Sequence, residues 1–269
     1  MPAATRYAEY AVQEDLAPFV KCIWSLESDR PINGAPRERI LPDSCVELVI
    51  HFKDPFLNHF ADGGTAVQPR SFVVGQMRHF LEIEPAGRTG FIAVRFHARG
   101  AYRFFSQSLR EIADGVVDLR NVWKERGDKC TERVASACSP RDRLRILQES
   151  LLQSLRENDR HDRTVDRCLE RINSTHGQLS IAELASDLGI SNRHLARRFE
   201  NAVGFPPKEF ARVSRFLNAV RSLSERTTTT LTETALDCGY FDQAHFNHEF
   251  REFAGMTPGE FSSFPHVGF

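Results

Sequence analysis

The sequence predicts an α+β protein in two parts: a β-rich front half, read as a small barrel or sandwich with a helical connector, and an all-α rear half that uses one unit twice. Three observations carry this. The first hundred residues hold short Val-, Ile- and Phe-rich runs divided by Pro, Gly, Asp and Asn. After Gly100 the apolar spacing changes to three and four, the period of a helix. The last hundred residues then repeat one pattern of caps, glycines and phenylalanines.

The front strands are read in "FVKCIWSLES", "RERIL", "VELVIHF", "SFVVGQ", "HFLEIEP" and "FIAVRFHA", with breaks at "DRPING", "PDSC", "ADGG" and "PAGRTG". In the connector, "PRDRLRILQESLLQSLREN" places Leu144, Leu147, Leu151, Leu152 and Leu155 on one stripe. Such a stripe either packs on its own β domain or makes a homodimer contact, and the spacing leaves both open. The polar stretch "ENDRHDR" at 157–163 marks the boundary between a front domain at 1–158 and a rear domain at 163–265.

Composition excludes several classes. The chain has 269 residues, 41% hydrophobic and 26% charged, with no apolar run near the ~18 residues of a membrane span. The opening "MPAATRYAEY" has no export-signal pattern, so the expected compartment is the cytoplasm, with no membrane partner. The six cysteines form no C-x-x-C pair, and His51, His59, His79 and His97 stand alone, so neither a metal nor another cofactor is expected. No catalytic motif is present, and no enzymatic role is expected. Cys45, at the "PDSC" turn, is the residue an alkylation or redox sensor would use; packing of the turn is the simpler role.

Net charge is −1, yet charge is unevenly placed. Arg193, Arg197, Arg198, Lys208, Arg212, Arg215, Arg221 and Arg226 face only Glu200, Glu209 and Glu225, whereas beyond Thr227 a single Arg251 meets six acids.

The repeat superposes residues 180–210 on 230–261. Ser180 matches Thr230, Glu183 matches Glu233, Ala185 matches Ala235 and Gly189 matches Gly239. After one extra residue in the second copy, His194 meets His245, Leu195 meets Phe246, Phe199 meets Phe250, Gly204 meets Gly255, Pro207 meets Pro258 and Phe210 meets Phe261. The S/T-x-x-E starts are capping boxes, and the glycines are helix stops. Each copy is therefore helix, short turn, helix: a helix-turn-helix unit. Between them Phe210, Val213, Leu217, Val220 and Leu223 stripe a long joining helix.

Residues from about 165 to 264 resemble the DNA-binding domain of the AraC/XylS family of bacterial transcription regulators, on "IAELASDLGISNRHLARRFENAVGFPPKEF" and "ALDCGYFDQAHFNHEFREFAGMTPGEF". The resemblance implies two recognition helices entering successive major grooves of double-stranded promoter DNA, one helical turn of about 34 Å apart. The front half is similar to the cupin-like domain that precedes this module in many members, which implies a small-molecule effector or dimerisation there. "RILPDSCVELVIHF" and "AVRFHARGAYRFF" place it with an uncharacterised subgroup.

With Leu195, Phe199 and Val203 facing inward, the first reading face is Asn192, Arg193, Ala196 and Arg197. Arg193 and Arg197 lie at i and i+4, and arginine pairs bidentately with guanine O6 and N7. The second face is Gln243, Ala244, Asn247 and His248, base-facing by family position. Ser191, Arg198, Lys208, Arg212 and Arg251 are the expected phosphate contacts, while Asp242 serves its own N-cap. The acidic surplus around Glu249 and Glu252 predicts that the second unit binds DNA weakly, or serves as a protein-interaction module toward a partner such as RNA polymerase.

Overall fold

The computed structural model describes residues 5–31, 37–60, 63–158, 160–225 and 230–263. The breaks expected at 32–34 and 61–62, the basic Arg226 and the rear boundary at 265 lie outside the described residues.

Ten strands precede the helices: β1 (Arg6–Tyr10), β2 (Val20–Pro31), β3 (Glu38–Ile40), β4 (Val46–His51), β5 (Phe56–His59), β6 (Thr65–Val67), β7 (Ser71–Val74), β8 (Leu81–Pro85), β9 (Arg88–Phe96) and β10 (Val116–Asp118). They form two antiparallel sheets, ordered β1-β2-β9-β4-β7-β10 and β3-β8-β5-β6. The expected α+β class holds, but the front half is an open two-sheet arrangement, with no closed barrel among the described residues. The physical reason lies at the edges. Strands β3, β6 and β10 are three residues each, too short to carry a ladder from one sheet to the other. Pro85 ends β8, and a proline has no backbone N–H to extend a ladder.

Alternation along β4 and β9 makes the larger sheet the middle layer. Val46, Leu48 and Ile50, with Ile92, Val94 and Phe96, face a core closed by α1 (Leu119–Trp123), α2 (Glu125–Ser136) and α3 (Pro140–Glu157). Val49, Phe91 and Ala93 face the other way, toward Phe56 and Ile83 of the smaller sheet. In α3, Leu147 and Leu151 are buried in the helix-side core, and Leu144, Leu152 and Leu155 pack against it. The stripe thus packs on its own β domain, the first of the two roles its spacing left open.

Between the sheets lies a run of buried polar side chains, His51, Gln68 and Asn58, that sequence spacing does not flag. His51 is 1% exposed and sits among the rings of Phe56, Phe72 and Phe91. Its Nε2 donates to Gln68 Oε1 at 3.0 Å, and Gln68 in turn donates to Asn58. Burial pushes the imidazole down to about 4, against the opposing bond to Gln68. Between that value and about 6.5 the unfolded chain binds a proton that the folded chain refuses, so stability falls as pH falls through this window. At pH 5 the loss attributable to His51 is about 2 kcal/mol. Urea unfolding at pH 7.5 and pH 5 should show it, and His51→Gln should flatten the difference; an unchanged difference in the variant would refute this account.

Cys45 lies in a tight turn. Cys45 follows Ser44, which holds a positive φ of 60°, and its amide donates to Asp43 Oδ1. Burial, then Asp43, pushes the Cys45 thiol far up from its ordinary value. A thiol held protonated is a poor nucleophile, so Cys45 packs the turn.

The rear helices are α4 (Arg163–Ser174), α5 (Ile181–Asp187), α6 (Asn192–Val203), α7 (Pro207–Ser224), α8 (Leu231–Asp237), α9 (Gln243–Ala254) and α10 (Pro258–Ser263). Helices α4, α5 and α6, with Phe210 and Ala211 of α7, enclose one core. Helices α8, α9 and α10 close a second around Val213, Phe216, Ala219 and Val220 of the same α7. The joining helix centres on Phe216, whereas Leu217 and Leu223 of the expected stripe are only partly buried.

Candidate nucleic-acid interface

The two units match residue by residue. Helices α5 and α8 have seven residues each, α6 and α9 twelve each. Ser180 accepts from the Glu183 amide and Thr230 from the Glu233 amide, and at Thr230 the Glu233 carboxylate closes the capping box. Ser191 caps α6 by accepting from His194, and Asp242 caps α9 by accepting from His245. Phe199 meets Phe210 at 5.6 Å between ring centroids, and the equivalent Phe250 meets Phe261 at 5.5 Å. The recurring Gly-x-x-Pro-x-x-Phe spacing therefore turns the chain so that one phenylalanine on each second helix stacks edge-on against the next helix.

On α6, Asn192, Arg193 and Arg197 are exposed and Ala196 is half-buried. On α9, Ala244, His248 and Arg251 are exposed, and Asn247 and Gln243 are half-buried. Gln243 is already engaged, since its Oε1 accepts from Thr232 of α8 at 2.7 Å. Among the described residues, no hydrogen bond or ion pair holds the side chains of Arg193, Arg197 or Lys208.

The other basic residues differ. Arg198 forks onto Asp162, with Nη2 to Oδ1 at 2.6 Å and Nε to Oδ2 at 2.8 Å. Arg212 is held by three carboxylates: Glu249 at 2.9 Å, Glu252 at 2.6 Å and Glu209 at 3.1 Å. Arg215 donates to both oxygens of Glu249, which is 3% exposed. Arg198 and Arg212, expected at phosphates, are paired with carboxylates in the free protein. The same pairs correct the picture of an acidic second unit: Glu249 points inward, and both it and Glu252 are neutralised by arginines of α7.

The front domain grips the C-terminal ends of both second helices, away from the residues expected to read bases. At α6, Ser108 donates to Asn201, and Arg110 lies 3.6 Å from Glu200. At α9, Arg39 donates to the Ala254 carbonyl, and His79 Nδ1 donates to that of Glu252. Positive charge at a helix C-terminus is favourable against the macrodipole. Gly204 and Gly255 end the two helices with φ of +107° and +70°. A Cβ at Gly255 would overlap the ring of Phe80, while one at Gly204 would lie 3.3 Å from Leu109 O. Equivalent glycines thus both lie against the front domain. Arg39, Arg78, Phe80 and Asp162 belong to this joint and carry no sequence signal beyond Asp162 standing where a helix cap would.

A profile described as a helix-turn-helix domain matches residues 184–263. A solved structure described as a probable AraC family transcriptional regulator from Rhodopseudomonas palustris CGA009 is 31% identical, covering 38% of this chain and 95% of that one, with a TM-score of 0.35. The chain belongs to the AraC/XylS family. In keeping with membership through the rear domain, an uncharacterized HTH-type transcriptional regulator of Staphylococcus aureus (strain MSSA476) is 31% identical over 86 residues, 32% of this chain and 11% of that protein. The HTH-type transcriptional regulator ArgR of Pseudomonas aeruginosa is 25% identical over 130 residues, 43% of this chain and 39% of that protein. The chain spans about a tenth of the staphylococcal relative's length. Its front half matches a domain of unknown function, DUF6597, over residues 8–118. Among the described residues, no helix is long and apolar enough to cross a membrane.

Proposed function

We propose that this family member is a sequence-specific DNA-binding transcription regulator that reads major-groove bases with the N-terminal halves of α6 and α9. The observation that carries the reading is the sorting of the basic residues. Arg198, Arg212 and Arg215 are tied to carboxylates, whereas Arg193 and Arg197, with no partner among the described residues, lie one turn apart on the same exposed face. Free guanidinium groups at i and i+4 of a second helix suit guanine edges, and the unpaired Lys208 suits a phosphate. The named relatives are regulators, and no catalytic step is assigned. A cytoplasmic site of action follows from this role.

The front domain's grip on both helix ends supports modulation by an effector, because anything that shifts it shifts both units together. A second reading attaches to the rear unit alone. Phe241 is 86% exposed and Leu236 56%, both beside the start of α9. Apolar residues there favour a protein contact, such as RNA polymerase, alongside DNA.

Selection from a random duplex pool at two salt concentrations tests the proposal. Two boxes about one helical turn apart are expected, the first supplying more of the sequence preference. A single short box would assign α9 to a protein partner, and no enrichment at either salt would refute base reading.

A further inference from the structure

The two second helices begin differently, and the difference leaves one aromatic side chain outside the core. In both units the residue after the glycine stop returns its amide to the preceding helix. Ile190 donates to the Ala185 carbonyl at 3.1 Å and Tyr240 to that of Ala235 at 2.9 Å. Both side chains also turn inward, Ile190 onto the first core and Tyr240 onto Phe246, with 4.8 Å between ring centroids. In the first unit the N-cap Ser191 follows at once, whereas in the second Phe241 comes before the N-cap Asp242. Phe241 is therefore the extra residue of the second copy. An apolar residue just before an N-cap often packs on the fourth residue of its helix. Tyr240 already covers that residue, Phe246, and Phe241 is left 86% exposed, with no ring against it among the described residues.

We infer that Phe241 is a further specificity-determining residue, whose ring contacts a thymine C5-methyl group in the major groove where α9 enters. This role presupposes the base reading by α9 proposed for the chain. The N-terminal residues of a recognition helix are the ones that meet base edges, and Phe241 adjoins them. Its amide donates to His245 Nδ1 at 3.3 Å, which fixes its backbone against the first turn.

The rest of that turn selects the chemistry. The side chains of Asp242, Gln243 and His245 are each already in a hydrogen bond within the chain, and the exposed remainder, Phe241 and Ala244, is apolar. Ala244 stands where the first unit has Arg193, so a methyl group replaces a guanidinium at the matching place. The apolar feature of a base edge in the major groove is the thymine methyl. The first unit is built for guanine, and the start of the second for thymine. Leu236 lies apart on α8, the first helix of its unit, which in this motif crosses the backbone and does not enter the groove.

Replacing thymine by deoxyuridine removes this methyl group and keeps every hydrogen-bonding group of the base pair. Each thymine of the second box in the selected duplex is replaced in turn, and binding of the full chain is followed by fluorescence anisotropy. At one position wild type is expected to bind about 4-fold more weakly, the equivalent of one buried methyl group. Phe241→Ala should lose at least that factor on the thymine duplex and then bind the thymine and deoxyuridine duplexes alike. Phe241→Leu, which keeps an apolar side chain, should retain part of the preference. Both variants should unfold like wild type, since the ring they alter is exposed. A second box without thymine, no loss at any deoxyuridine, or a loss that survives Phe241→Ala would each overturn the inference while base reading by α9 stands. A selection that returns no second box would overturn both, so the two failures are told apart.

Discussion

Arg193→Ala combined with Arg197→Ala is expected to lower affinity for the selected duplex by about 100-fold or more while leaving unfolding unchanged. Each bidentate arginine–guanine contact is worth about 1–3 kcal/mol of discrimination, and the two act on adjacent bases from one helix face. Among the described residues neither side chain has a hydrogen-bond or ion-pair partner, so its removal leaves none of them unsatisfied, and surface changes of this kind stay within about 0.5 kcal/mol of stability. Fluorescence anisotropy with matched and scrambled duplexes separates the effects. The double variant should bind both alike, at the level wild type shows for the scrambled one. Lys208→Ala should instead weaken both equally and reduce the salt slope by about 1. Arg198→Ala differs again, because it strands Asp162 at the start of α4 and should lower stability before it alters base preference. A double variant that still prefers the matched duplex would show that the reading face lies elsewhere on α6.

What the sequence disclosed followed the range of the interactions. Caps, glycine stops and the paired phenylalanines are local, and each places its own signal within a few residues, so both helix-turn-helix units emerged with their boundaries. The α3 stripe was equally visible, but its partner was not: Leu147 and Leu151 meet a sheet whose strands lie far back in the chain. Closure of the β layer depends on pairings between distant short strands, which composition does not specify. The exposure of Asn192, Arg193 and Arg197 was legible as an outward face. Which arginines stay free was not, because the partners of Arg198 and Arg215 lie 36 and 34 residues away. The joint with the front domain was the least legible. It rests on single residues such as Phe80 and Arg39, whose roles exist only once the two domains meet.

Glu249→Leu carries the largest expected effect on stability. The carboxylate is buried in the second unit, and each of its oxygens receives a bond from Arg215. Arg212 keeps Glu209 and Glu252 when Glu249 is removed, so most of the loss falls on Arg215. That guanidinium is 17% exposed and otherwise has, among the described residues, the Tyr240 ring 4.9 Å away. Stranding one member of a buried pair costs about 3–5 kcal/mol, whereas replacing both by apolar groups is often neutral. The single variant should therefore destabilise the second unit by about 3 kcal/mol, and Glu249→Leu with Arg215→Met should recover much of it. The chain reports on its domains separately, because Trp24 and Trp123 both lie in the front half, while most of the helix lies behind. Tryptophan fluorescence in urea should move little, and the far-ultraviolet transition should move early. Binding to the selected duplex would then contract to the first box, since α9 is set on α7 through this cluster. If the single variant unfolds like wild type by both signals, the buried cluster does not hold the second unit in place, and the acidic residues of α9 must be given a role at the surface after all.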